Sequence, residues 1–150
     1  MYFKPYWFLL HHLKIMPQQN VEDHKIISRF LYRSKTHSST EVKYHAFMPS
    51  NKENELGEFS VYETTSLGFD IIKKLSALVN KDPLKAQAVL EVGVVKQIQN
   101  KGSNKYLNVK TYKYPHPNHA NIIGIKNSSK AMKQNLAQRL ARASRLEVAR

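Results

Sequence analysis

Between residues 58 and 80 the spacing of the apolar side chains changes period, and this limits the fold more than any other feature of the chain. Residues 58 to 63 alternate around Phe59, Val61 and Tyr62, the period of a strand with one buried face. Leu67, Ile71, Leu75, Leu78 and Val79 follow at helical spacing, with Thr65 or Ser66 as the cap and a stop near Asn80, before Asp82 and Pro83. A strand running directly into an amphipathic helix calls for a sheet with helices packed on it. At 150 residues and 41% hydrophobic content the chain can build one such core.

The remaining segments are read in the same way. Glu22 and Asp23 suit a first helical turn, and Ile26, Ile27, Phe30 and Leu31 form an apolar stripe, so a helix is expected over 21 to 33. The polar run 34 to 40 reads as a loop. A strand is expected over 42 to 48, closed by Pro49, Ser50 and Asn51 and paired with 58 to 63 across a charged loop, 50 to 57. β-branched residues around Gly93 favour a strand over 86 to 98, with a short helix over 84 to 91 as the alternative. The turn signal at 100 to 104 folds 105 to 114 back as a hairpin arm. Asn127, Ser128 and Ser129 cap a helix that runs to the C-terminus with Met132, Leu136, Leu140 and Ala143 on one face. The expected fold is α+β: a small, mostly antiparallel sheet with about three helices packed on one side of it, in a single domain over residues 16 to 150.

Residues 1 to 15 are set apart. Tyr6 to Leu10 is an apolar run of five that His11 and His12 interrupt, too short for a secretory core of about 7 to 15 residues or a membrane span of about 20. They read as a leader or an alternative-start extension ahead of Met16, and no membrane partner is expected. There is no cysteine, which excludes a disulfide framework and a thiolate zinc site and fits a cytoplasmic protein.

Charge points to a partner. The net charge is +13, and residues 92 to 146 hold eleven Lys and Arg with no Asp or Glu. Self-repulsion of that size is tolerated where a polyanion offsets it. Nucleic acid is the commonest such partner, RNA ahead of DNA; a non-catalytic module docking an acidic protein is the alternative. Two elements carry the expectation. Alternation along 106 to 114 places Tyr106, Asn108, Lys110, Tyr112 and Tyr114 on one face and Leu107, Val109, Thr111 and Lys113 on the other, so rings and a cation share a surface suited to unpaired bases. The C-terminal helix carries Lys130, Lys133, Arg139, Arg142 and Arg145 without interleaved acids, and its arginines recur every three residues, as phosphate contacts would. The plainer readings are a half-exposed tyrosine-rich strand and a solvated basic flank.

The segment 115 to 121 is stiffened by Pro115 and Pro117, each of which holds its predecessor extended. His116 or His119 can serve as acid or base on a phosphodiester with His45 as the other, in a metal-independent nuclease. Equally, these histidines and asparagines can bond neighbouring backbone and fix the turn before Ile122. Two histidines without a third ligand do not make a metal site, and none is expected.

In combination, residues 27 to 31 (ISRFL), 45 to 49 (HAFMP), 59 to 62 (FSVY) and 115 to 122 (PHPNHANI) resemble a family of small, uncharacterised bacterial proteins, over about residues 21 to 126 and in the same order. The family pattern has Arg where this chain has Asn118. The resemblance implies a single bacterial cytosolic domain starting near Met16 and brings no activity with it. The five glycines are widely separated, so no GxGxxG, Walker A or GxSxG loop can be written, and HExxH is absent. Neither His45 nor His119 has the hydroxyl two residues on that a 2H phosphoesterase pattern requires. No cofactor is implied.

Overall fold

The computed structural model describes residues 17 to 113 and 116 to 149; the expected leader and Tyr114 lie outside the described residues. In chain order the elements are β1 (Ile26–Leu31), 3-10 turns at Ser34–Thr36 and Tyr44–Phe47, α1 (Asn51–Leu56), β2 (Glu58–Glu63), α2 (Phe69–Val79), β3 (Ala86–Glu91), α3 (Val92–Val95), β4 (Gln99–Asn100), β5 (Lys105–Tyr106), β6 (Asn108–Thr111), β7 (His119–Ile123), α4 (Lys130–Ala143) and β8 (Arg145–Val148). Six strands form one antiparallel sheet in the order β6-β7-β2-β1-β3-β8, and β4 and β5 form a separate hairpin. The expected α+β class is the one observed.

One face of the sheet makes the main core. Ile27, Leu31, Phe59, Val61, Ala86, Ala88, Leu90, Val109, Ala120 and Ile122 lie on it, and Leu136, Ala137, Leu140 and Ala141 of α4 belong to the same buried cluster as Ala46 and Phe47 of the second 3-10 turn. Helix α2 serves the other face, where its buried Ser76 hydroxyl bonds that of Tyr32 at 2.8 Å. The helices are therefore divided between the two faces rather than gathered on one. Within α2, Ile72 and Leu75 are buried while Ile71 and Leu78 of the expected stripe are exposed.

Several segments differ from the sequence expectation, each for a physical reason. The apolar pairs at 26, 27, 30 and 31 mimic a helical stripe, but they belong to a central strand paired on both edges and packed on both faces, where alternation fades into a near-continuous apolar run. Residues 44 to 47 form a 3-10 turn, not a strand, because Ala46 and Phe47 are both buried and an extended chain would turn neighbours to opposite sides. The charged loop is helix α1: Ser50 and Glu53 form a capping box, and Gly57 ends the helix with φ +74. The strand expected over 86 to 98 stops at Glu91 and turns into α3. A Cβ on Gly93 would stand 3.2 Å from that of Asp23 and 3.3 Å from its carbonyl oxygen, so glycine there permits the Asp23 loop to close over the turn. The C-terminal helix is capped by Ser129 as expected, but ends at Ala143 and returns as β8 along β3.

Candidate functional site

The sheet opens near its middle. β1 and β2 pair only at Ile27 with Glu63 and Ser28 with Tyr62. Beyond those rungs the Arg29 side chain enters between the strands and donates from Nη1 to the Ser60 carbonyl at 3.1 Å. It also donates from Nε to the Ala46 carbonyl at 3.2 Å and meets both carboxylate oxygens of Glu53, at 2.9 and 3.3 Å, with its guanidinium 4.9 Å from the Phe59 ring centre. Burial pushes the Glu53 carboxyl up, but the hydrogen bonds and charge of Arg29, with backbone bonds at Ser50 and Ser60, outweigh it and hold the group below its ordinary value. Arg29 is thus committed to holding the sheet open, and Glu53 to neutralising it.

The opening is a wedge-shaped cleft of about 710 Å³, bounded by the end of β1, Ser60 and Tyr62 of β2, the second 3-10 turn, the start of α1 and the end of α2. Phe30 stacks on Tyr62 at 4.8 Å with the rings 2° from parallel. Burial raises the Tyr62 phenol to about 12; the charge of Tyr32 adds to the rise and a hydrogen bond with Ser60 opposes it. Arg33, Lys35 and His45 stand on the rim. Lys35 and His45 also line an adjoining groove of about 520 Å³ with Lys43, Tyr44 and Arg142, so the two clefts meet at Lys35 and His45 and are taken together as a trough from β1 to α4. Arg33, Lys35, Lys43 and Arg142 make no ion pair among the described residues, although Asp82 lines the wedge and Glu41 the groove. The local field is positive: burial lowers the His37 imidazole, and Lys85 and Lys43 lower it further.

His119 meets this site from β7. Its ring is buried, and Nδ1 lies 2.7 Å from the Tyr112 carbonyl, an acceptor, so in the neutral ring Nδ1 carries the proton. Nε2 is left as an acceptor 2.6 Å from the Ser60 hydroxyl. Ser60 itself is exposed and lines the wedge.

The expected site residues separate into three groups. His45 and, through Ser60, His119 are brought to one cleft. His116 is not: its Nδ1 accepts from the Asn118 backbone N–H, its carbonyl accepts from the His119 backbone N–H, and the Asn118 side chain donates to the Glu63 carbonyl, so the corner is a tied turn. Burial lowers the His116 imidazole. The basic helix track is broken, because Arg139 donates to the Gln99 carbonyl and Arg145 lies on β8, paired with Glu147 at 2.9 Å; of the three arginines only Arg142 reaches the trough. Lys130 and Lys133 lie on the first turn of α4, outside the trough. The tyrosine face is broken too: Tyr106 belongs to the β4–β5 hairpin, Lys110 to β6, and Tyr112 follows β6 with its ring edge-on to His119 at 5.6 Å. Leu107 and Val109 are buried as the alternation requires. The residues sequence reasoning missed are Ser60, Arg33, Lys35 and Lys43. Ser60 had a signal, being the one small hydroxyl among the apolar residues of its strand.

Compared with known proteins, the chain matches no family model, no curated protein and no solved structure.

Proposed function

We propose that this protein binds single-stranded nucleic acid, RNA in preference to DNA, along the trough between β1 and α4. The observation that carries the reading is the convergence of Arg33, Lys35, Lys43, His45 and Arg142, drawn from three separate parts of the chain, on two adjoining clefts. Cations free of ion pairs release counterions when phosphates replace them, which is the main source of affinity for a nucleic-acid strand. Phe30 in the wedge and Tyr44 in the groove, its ring 4.1 Å from that of His45, offer faces on which unpaired bases stack. Thr36, Ser60 and Asn80 supply polar partners for a 2′-hydroxyl, the group that separates RNA from DNA.

Fluorescence anisotropy with a 12-nucleotide RNA, the same DNA sequence and polyglutamate tests the reading. RNA should bind most tightly, with an affinity that falls linearly in log-log with salt. Binding of polyglutamate at equal or greater strength would favour an acidic protein partner instead.

A further inference from the structure

We infer that Ser60 is a histidine-activated nucleophile, with His119 as its base and a phosphodiester as its substrate. The substrate class rests on the phosphate-binding reading of the trough; the nucleophile rests on geometry alone. Three requirements of covalent catalysis meet at this pair. The serine hydroxyl is at hydrogen-bond distance from an imidazole nitrogen, 2.6 Å. That imidazole is held in the accepting tautomer by a group on its far side, the Tyr112 carbonyl at 2.7 Å. The base is buried at 7% exposure while the nucleophile is exposed on a cleft large enough for a nucleotide. Cross-strand register sets the arrangement: Tyr62 faces His119 and Ser60 faces Asn121, so Ser60 and His119 are diagonal neighbours on one face of the sheet.

In the forward step Ser60 Oγ attacks phosphorus in line while its proton passes to His119 Nε2. The bond from phosphorus to the leaving alcohol oxygen, opposite Oγ, breaks, and that oxygen takes a proton from solvent. Water then attacks the phosphoserine from the vacated side and loses a proton to solvent; the phosphorus–Oγ bond breaks and Nε2 returns its proton to Ser60 Oγ. The net change is phosphodiester plus water to phosphomonoester plus alcohol. The rim cations Arg33 and Lys35 oppose the charge gathered on the non-bridging oxygens, and His45 stands beside them as a hydrogen-bonding group. A carbonyl in place of a carboxylate orients the imidazole but leaves its positive charge unneutralised, so the rate expected is below that of a full triad.

The test is labelling of the full chain with an ethyl fluorophosphonate, followed by intact mass and peptide mapping, beside turnover of bis(p-nitrophenyl) phosphate. Wild-type protein should gain one adduct, on Ser60, and release p-nitrophenol. Ser60→Ala should take up none, and His119→Asn should react at least about 100-fold more slowly, the lower end of a general base's contribution. Asparagine retains a donor at the δ position for the Tyr112 carbonyl and removes Nε2, so the fold can survive the change. His119→Gln, with a melt of each variant, guards against loss of fold. No adduct on wild type, an adduct elsewhere, equally fast labelling of a folded His119→Asn protein, or p-nitrophenyl acetate hydrolysis without phosphodiester turnover would each overturn the inference. Failed labelling with intact RNA binding refutes the dyad alone, whereas labelling without RNA affinity refutes the trough.

Discussion

Glu53→Ala should be among the most damaging single changes outside the apolar core, because this one carboxylate closes three interactions. It meets Arg29 through two oxygens at 2.9 and 3.3 Å, and it accepts from the Ser50 backbone at 3.1 Å to complete the cap of α1. Hydrogen bonds to a charged group contribute about 1.5 to 3 kcal/mol and a helix cap about 1. Breaking a buried pair costs about 3 to 5 kcal/mol because its partner is stranded. The two side chains keep 16% and 23% exposure, so solvent recovers part of the loss, and about 3 kcal/mol is the figure expected. For a chain of this length that is about 9 °C in melting temperature. Glu53→Gln, which keeps the cap and one bond to Arg29, should cost about half as much. The pH dependence has a definite sign. The folded carboxyl titrates below its ordinary value of 4.5, so its contribution is complete above that value and is lost as pH falls through the lower, folded one. The stability difference between wild type and Glu53→Gln should therefore be flat from about pH 6 to 8 and shrink below about pH 4. Urea melts across that range measure it, with an Arg29→Met, Glu53→Met cycle to isolate the pair. A Glu53→Ala loss under about 0.5 kcal/mol, or a strictly additive cycle, would refute the keystone role.

Changes elsewhere in the fold should have smaller effects. Gly57→Ala should cost about 1 kcal/mol by thermal melt, since φ is +74 and the nearest atom to the new Cβ, at 3.6 Å, lies at ordinary van der Waals distance, which leaves only backbone strain. Ser129→Ala removes the bond from the Met132 backbone and should cost about 1 kcal/mol of the same stability. His116 titrates below its ordinary 6.5 when folded, so the unfolded chain takes up its proton first and wild-type stability falls as pH drops below that value; His116→Ala should show a weaker fall in denaturant melts between pH 7 and 5.

Much of the scaffold can be read from local pattern, and the site cannot. Alternation at 58 to 63, the Ser129 cap of α4 and the inward placement of Leu107 and Val109 follow from periods and caps that a few residues carry. The Ser50 to Glu53 spacing is also a written signature, a capping box, and marks α1 where charge density suggests a loop. β1 is different. Its neighbours on both sides and both faces come from distant parts of the chain, and they make its apolar pairs those of a central strand. The wedge arises where the β1–β2 ladder ends after two rungs, and the Ser60 to His119 hydrogen bond spans 59 residues through a register that no local period encodes. Arginines at a three-residue spacing describe a phosphate track only if the helix continues, and α4 ends at Ala143.

A single strand of RNA lying along the trough must draw its salt dependence from the cations there, and a triple variant measures that share. Lys35→Gln, Lys43→Gln and Arg142→Gln together remove three unpaired cations from three separate parts of one groove. In anisotropy titrations of a 12-nucleotide RNA between 50 and 300 mM KCl, the log-log slope should flatten by about 2, at roughly 0.7 for each phosphate of a single strand left without its cation. Lys130→Gln with Lys133→Gln, cations outside the trough, should change it by less than about 0.5. An unchanged slope in the triple variant, or an equal effect from the α4 pair, would mean that the strand lies elsewhere.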